Sequence, residues 1–225
     1  MSQVAIIAGA GTDTVAATAL ALAADGFDVA LLDADESACM TTAAQVKDLG
    51  RRAMAVRTDW TDGESADAAI EQVCAGLGNP SVLLTVVPVA GPGQLHALTQ
   101  EQWTDTTAVP LRAVFLACQA VLDPMIKNGG GRIITVADGA GAETENATVR
   151  TALEGLTRTL ALELAPLGIT AHLLTTPRPV DQLGTRAGRT PTAAEFSARA
   201  ARTVTMLTGT AADSLTGQAL RVGTP

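Results

Sequence analysis

The first 35 residues carry the feature that most constrains the fold of this chain. From residue 4 they read VAIIAGAGTDTVAATALALAADGFDVALLDAD, which is an apolar run, a glycine turn, a helical pattern, a second apolar run and an acid. This order predicts a strand, a helix and a second strand, with Gly9 and Gly11 letting the backbone approach a pyrophosphate at the helix N-terminus. Asp33 follows Gly9 by 24 residues and is placed to accept hydrogen bonds from an adenosine ribose.

The same alternation of apolar runs and helical patterns continues along the chain, and it is typical of a parallel sheet with helices on both faces. We predict strands over 4–8, 29–33, 53–57, 82–87, 132–136, 169–174 and 219–222. Helices are predicted over 14–24, 37–49, 65–76, 100–127 with an interruption at Pro110, 146–165 and 193–207. The expected fold class is therefore α/β, a Rossmann-like doubly wound sheet of seven mainly parallel strands.

Composition gives the domain organisation and excludes several classes of function. No break in composition divides residues 1–225, so one domain is expected, with the Gly/Pro/Thr-rich segment 175–192 as a mobile loop. A net charge of −8 with only two lysines argues against nucleic acid as a partner. No run reaches the roughly 18 apolar residues of a membrane helix. Cys39, Cys74 and Cys118 lie too far apart for a metal or redox motif, so we expect no metal and a cytoplasmic location.

Several segments together resemble the short-chain dehydrogenase/reductase family over nearly the whole chain. The first turn of that family is usually TGxxxGxG, and it aligns with AGAGTDTV at 8–15. TDWTD at 58–62, LALELAPLGIT at 160–170 and LTGQALRVG at 215–223 are similar to later segments of the family. The resemblance implies an oxidoreductase that uses a nicotinamide cofactor.

The resemblance also implies which residues would contact the cofactor. The second and third family glycines fall on Asp13 and Val15, and a carboxylate at Asp13 would repel the phosphates or cap the helix in their place. Asp33 followed by Ala34 implies NAD rather than NADP, and its binding is predicted to be weak or absent. Trp60 either stacks on the adenine or fills its place. The full set of implied contacts is Gly9, Gly11, Thr12, Asp13, Thr14, Asp33, Asp59, Trp60 and Val87.

All four positions of the family's catalytic tetrad are substituted. In the family an Asn, a Ser, a Tyr and a Lys move the proton of the substrate hydroxyl and hold the nicotinamide ribose. The alignment places Pro110, Asp138, Asn146 and Arg150 there, and the chain contains no tyrosine. An amide does not carry a proton near neutral pH, and a guanidinium stays charged. The segment from 138 to 146 is also shorter than in the family. We therefore predict that the usual carbonyl/alcohol chemistry is lost.

Assembly is the function that we expect to remain. The resemblance implies a homodimer or tetramer through helices 100–127 and 146–165, or a hetero-oligomer with an active member of the family. On the second helix Leu153, Leu156, Leu160 and Leu164 recur at helical spacing, and they either form such an interface or cover the sheet of their own chain.

Two enzymatic hypotheses stay open beside assembly. The first is an atypical oxidoreductase that binds NAD(H) without the tetrad. The second is a non-redox enzyme in which Asp138 acts as a base beside Arg150, although a structural ion pair is the simpler interpretation of these two residues. His96 is expected to be a surface residue, and His172 a hydrogen-bonded strand residue.

Overall fold

The computed structural model describes residues 3–9, 11–89, 95–138, 147–175 and 192–222. Within these ranges seven parallel strands form one sheet in the order β3-β2-β1-β4-β5-β6-β7. The predicted Rossmann-like α/β fold is therefore confirmed, and each predicted strand overlaps an observed one. The strands are β1 Val4–Ala8, β2 Asp28–Asp33, β3 Ala53–Arg57, β4 Val82–Pro88, β5 Gly131–Asp138, β6 Ile169–Thr175 and β7 Gln218–Arg221.

The α-helices of the described ranges begin and end close to the predicted positions. They are α1 Asp13–Ala24, α2 Glu36–Asp48, α3 Gly63–Gly76, α4 Gln100–Trp103, α5 Val109–Lys127, α6 Ala147–Leu164 and α7 Ala193–Thr208. Most of the predicted mobile loop, residues 176–191, lies outside the described residues.

Pro110 does not break the helix in which it lies. It is the second residue of α5 and has no N–H to donate to the turn before it. The five residues Thr104–Ala108 before α5 form a π-helical turn. The predicted interruption is therefore a change of hydrogen-bond pattern within one continuous helical stretch.

Two buried apolar clusters lie on the two faces of the sheet, and together they explain why the strands show no apolar/polar alternation. Successive strand residues point to opposite faces, so Ile6 joins one cluster and Ile7 the other. The first cluster contains side chains from α3, α5 and α6, and the second contains side chains from α1, α2 and α7. Both faces are covered, which leaves the carboxyl-end edge of the sheet as the place where a site can form.

Candidate functional site

The turn between β1 and α1 has the backbone shape that a dinucleotide site needs. Gly9 and Gly11 have φ values of +106° and +75°, in the region that favours glycine. A Cβ on Gly9 would lie 3.0 Å from the carbonyl oxygen of Val86, so the turn packs directly against β4. The turn therefore lies between β1 and β4, at the point where the strand order reverses and ligands of doubly wound sheets bind.

The first turn of α1 carries an acid at the position where a phosphate would bind. Thr12 is the N-cap, and its hydroxyl accepts a hydrogen bond from the Val15 amide at 3.2 Å. The suggestion that Asp13 caps the helix is thus wrong; Asp13 is exposed in the first turn, where its charge interacts favourably with the helix dipole. Val15 is 2% exposed and packs into the second core cluster, so its side chain points away from the turn.

The residues on the adenosine side make hydrogen bonds within the protein. Trp60 packs against the first core cluster, and its indole N–H donates to the Leu32 carbonyl at 3.2 Å. Asp33 accepts from the Asp35 amide at 2.9 Å. Asp59 accepts from the Thr61 hydroxyl at 2.7 Å and from its amide at 2.8 Å, and these two bonds lower the pKa of Asp59. Trp60 is therefore held against the end of β2 by its own N–H.

At the tetrad positions the structure shows partners that the sequence did not predict. Asp138 is the last residue of β5, and its carboxylate accepts a hydrogen bond from the Thr14 hydroxyl at 2.7 Å. Arg150, which is 7% exposed, forms an ion pair with Glu154 one turn later on α6. Asn146 lies outside the described residues.

The side chains of this site do not fit a tightly bound dinucleotide, although the backbone of the glycine turn does. A phosphate at the N-terminus of α1 would lie beside the carboxylate of Asp13, and like charges repel. The Thr14–Asp138 hydrogen bond joins the start of α1 to the end of β5. Within the described part of the chain, no group of three or more His, Cys, Asp or Glu side chains could hold a metal ion.

Ser197 is a member of this site that sequence analysis missed. Its hydroxyl oxygen lies 2.9 Å from that of Thr14, so that α1, β5 and α7 meet through three polar side chains. The order of the strands and the position of α7 beside α1 bring residues 14, 138 and 197 together. No spacing along the sequence could have identified them.

The two histidines have the ordinary roles that were predicted. His96 is exposed. His172 on β6 is 1% exposed, and its Nε2 lies 3.0 Å from the Leu215 carbonyl oxygen. Burial lowers the pKa of His172, the hydrogen bond to Leu215 raises it, and the nearby positive charge of Arg132 lowers it, with a net decrease.

This buried histidine predicts a loss of stability in mild acid. The unfolded chain binds a proton at His172 near pH 6.5, whereas the folded chain does so only at lower pH. The stabilisation is therefore complete above about pH 6.5 and declines as the pH falls, by up to about 1.4 kcal/mol per pH unit. Urea unfolding at pH 7, 6 and 5 should show a smaller decline in His172→Asn than in the wild type. Equal declines would contradict the prediction.

Exposed apolar side chains lie on the two helices that were predicted to form an interface. The stretch Gln100–Lys127 has a mean hydropathy of 1.5 over 18 residues, of which 28% are buried, and by length and composition alone it could cross a membrane. Phe115 and Ile126 are 51% and 42% exposed, and a separation of three helical turns places them on one side of α5. Leu162 on the adjacent α6 is 81% exposed. Phe115, Ile126 and Leu162 define the α5–α6 surface.

The leucine stripe predicted on α6 does not belong to that surface. Leu153 and Leu164 are buried, and Leu156 and Leu160 pack against the first core cluster. These four residues therefore cover the sheet of their own chain and do not form the interface that was the other possibility. Phe115 and Leu162 were missed because the sequence analysis followed the leucine repeat, which marks the side of α6 that faces the sheet.

Comparison with known proteins gives one consistent family. The family model described as short chain dehydrogenase matches residues 3–186. NovK of Streptomyces niveus, named a short-chain dehydrogenase/reductase family member, is 37% identical over 99% of this chain and 95% of its own length. NovJ of the same organism, named a short-chain reductase protein, is 32% identical over 83% of this chain and 74% of its own.

Solved structures agree with the sequence comparisons. An actinorhodin polyketide ketoreductase with NADPH is 25% identical, with a TM-score of 0.83 over 99% of this chain and 96% of that protein. The acetoin dehydrogenase YohF of Salmonella typhimurium is 28% identical, with a TM-score of 0.81 over 99% of this chain and 94% of its own.

Proposed function

Since this chain belongs to the short-chain dehydrogenase/reductase family, a family of oxidoreductases, we propose that it is a member without the usual carbonyl/alcohol chemistry. It acts through assembly with copies of itself or with an active member of the family. The observation that carries the proposal is the exposed α5–α6 surface, on helices that otherwise pack normally against the sheet.

The chemistry of the tetrad positions supports the loss of activity. The chain has no tyrosine, and the arginine at the lysine position stays charged at any working pH. Asp138 and Arg150 make the bonds with Thr14 and Glu154 described above. The first contact joins α1 to β5 and the second joins two successive turns of α6, and they favour a structural role for both residues over the non-redox enzyme hypothesis.

The shape of α6 supports a partner helix on the α5–α6 surface. Thr151, Gly155 and Thr159 are exposed and lie four residues apart, so they form one row on α6. A Cβ on Gly155 would meet nothing within 4 Å. A row of small residues lets a second helix approach closely, and a twofold axis would bring the same row of another copy against it.

A protein partner matches this surface better than a lipid bilayer does. The exposed side of α5 also carries Arg112, Gln119 and Asp123, and charged side chains facing hydrocarbon are costly. A polar rim around apolar residues is the usual anatomy of a protein interface. We therefore keep the proposal of a cytoplasmic protein without membrane or nucleic-acid contacts.

The relatives support an active family member as the second type of partner. Streptomyces niveus has one similar protein named only as a family member and another named a reductase. A mixed assembly would join one chain that carries the tetrad and one that lacks it.

Light scattering at micromolar concentration tests the proposal. The expected mass is two or four times the 22.8 kDa of the chain. Co-expression with a tagged, active short-chain reductase of the same organism should give a stable mixed complex if the partner is a relative. A monomer that also fails to bind such a reductase would refute the proposal.

One observation favours a second candidate function, an atypical NAD(H)-dependent oxidoreductase. Gly9, Gly11 and Asp33 keep the backbone turn and the acid of a dinucleotide site. Thermal unfolding with and without NAD(H) or NADP(H) at about 1 mM separates the two candidates. A dissociation constant of about 100 μM would add about 1.4 kcal/mol and raise Tm by roughly 3–5 °C. We expect no shift, and a shift of that size would favour the oxidoreductase.

A further inference from the structure

We infer that the hydrogen bond between Thr14 and Asp138 closes the nucleotide-binding crevice on the side of β5, and that this bond excludes the nicotinamide half of a dinucleotide. The inference does not depend on assembly. It assigns to the residue at the family's serine position a role in keeping the cofactor out.

The order of the strands gives the direction in which a dinucleotide would lie. An adenosine ribose on Asp33 lies at the end of β2, and the pyrophosphate lies at the N-terminus of α1, which follows β1. Because β2 and β4 lie on opposite sides of β1, the remaining half of the molecule must extend over the end of β4 toward β5.

The Thr14–Asp138 bond spans this same region. Thr14 is in the first turn of α1 and Asp138 is the last residue of β5, so a bond of 2.7 Å between them passes the end of β4. The Val89 amide donates to the Asp138 carbonyl at 3.0 Å, which continues the pairing of β4 with β5 and fixes the backbone position of Asp138. The contact that extends from α1 to β5 is therefore the one between the Thr14 and Asp138 side chains.

The Thr14–Asp138 bond is called the bridge below, and Ser197 is a neighbour of Thr14 that is not part of it. The Thr14 hydroxyl donates its one proton to the Asp138 carboxylate, so only the Ser197 proton is left for the 2.9 Å contact between the two hydroxyls, and the Ala193 carbonyl at 2.9 Å competes for that proton. Thr14 is 1% exposed and Asp138 is half-buried, so the bond between them is partly shielded from water. A ligand that enters has to break this hydrogen bond to a carboxylate.

Four variants and two ligands test the bridge, with isothermal titration of NADH and of AMP as the measurement. Thr14→Val removes the donor at nearly constant volume, and Asp138→Ser removes the carboxylate and shortens the side chain. Asp138→Asn removes the charge but keeps an acceptor for Thr14. Ser197→Ala leaves the Thr14–Asp138 bond in place and serves as the matched control. AMP lacks the nicotinamide half of NADH.

Thr14→Val and Asp138→Ser should each bind NADH at least about tenfold more tightly than the wild type, since the strength of the broken bond is returned to the ligand. Asp138→Asn and Ser197→Ala should change NADH affinity by less than about threefold, and AMP affinity should be equal in all variants. Melting temperatures identify a variant that has lost its fold. Thr14→Val and Asp138→Ser, the two bridge variants, break the bond from opposite ends and so test its effect on NADH affinity independently.

Two results would overturn the inference. The first is a failure of both folded bridge variants, Thr14→Val and Asp138→Ser, to bind NADH better than the wild type. The second is an equal gain in Asp138→Asn and Asp138→Ser, which would assign the exclusion to the charge of Asp138 and not to the bridge.

Discussion

Replacing Phe115 by Asp should convert the assembled protein into a monomer. Phe115 is 51% exposed at the α5–α6 surface, and an aromatic side chain at the centre of an interface is the residue type that most often dominates binding. The substitution removes that apolar contact and places an uncompensated charge in the contact region. We expect self-association to weaken at least about 100-fold, equivalent to about 2.7 kcal/mol, as measured by light scattering over a dilution series.

Met40→Asp is the matched control for this variant. Met40 lies on α2, on the other face of the sheet, and is 56% exposed, so the two substitutions change a similar amount of surface. Its molar mass should equal that of the wild type. An assembled Phe115→Asp protein would show that the copies meet at some other surface.

Leu162→Asp extends the same experiment to α6. Leu162 is 81% exposed, so the isolated chain should tolerate the charge without loss of stability. If α5 and α6 form one interface, this variant should also be monomeric and should fail to capture an active reductase. An effect in Phe115→Asp without one in Leu162→Asp would restrict the interface to α5.

The fold could be predicted because it rests on local patterns. The turn around Gly9 needs a backbone with positive φ, and the runs of buried side chains on both faces of the sheet leave no alternation in the strands. Both patterns can be recognised within a short stretch of consecutive residues. The cap of α1 shows where local patterns stop short: the suggestion that Asp13 caps the helix was wrong, because the helix begins at Asp13 and Thr12 is the residue before it.

The site could be predicted only in part, because its contacts depend on distances across the sheet. The sequence identified Asp138 and Arg150 as the unusual residues, but their partners Thr14 and Glu154 depend on which strand follows which and on how α6 turns. The outward-facing residues of α5 and α6 show the same limit. An amphipathic pattern gives the apolar side of a helix, and Leu162 lies outside that side.

Removing the carboxylate of Glu154 should destabilise the fold more than removing an exposed carboxylate of the same helix. Arg150 is 7% exposed, and its ion-pair partner Glu154 has a side chain 25% exposed. Removing one partner of a largely buried polar pair costs about 1–3 kcal/mol. Urea unfolding of Glu154→Ala at a fixed protein concentration should show a loss of that size, whereas Glu163→Ala, an exposed acid on the same helix, should change stability by less than about 0.5 kcal/mol.

The double variant Arg150→Met/Glu154→Leu decides whether this pair is structural. Replacing both charges by apolar side chains of similar size removes the desolvation cost with the attraction, so much of the lost stability should return. If Arg150 were kept for catalysis, the Arg150→Met variant would unfold at the same urea concentration as the wild type and would lose turnover. Because Arg150 stands where the family has its catalytic lysine, recovery in the double variant would show that this position has become part of the packing of α6. A double variant no more stable than Glu154→Ala would contradict that conclusion.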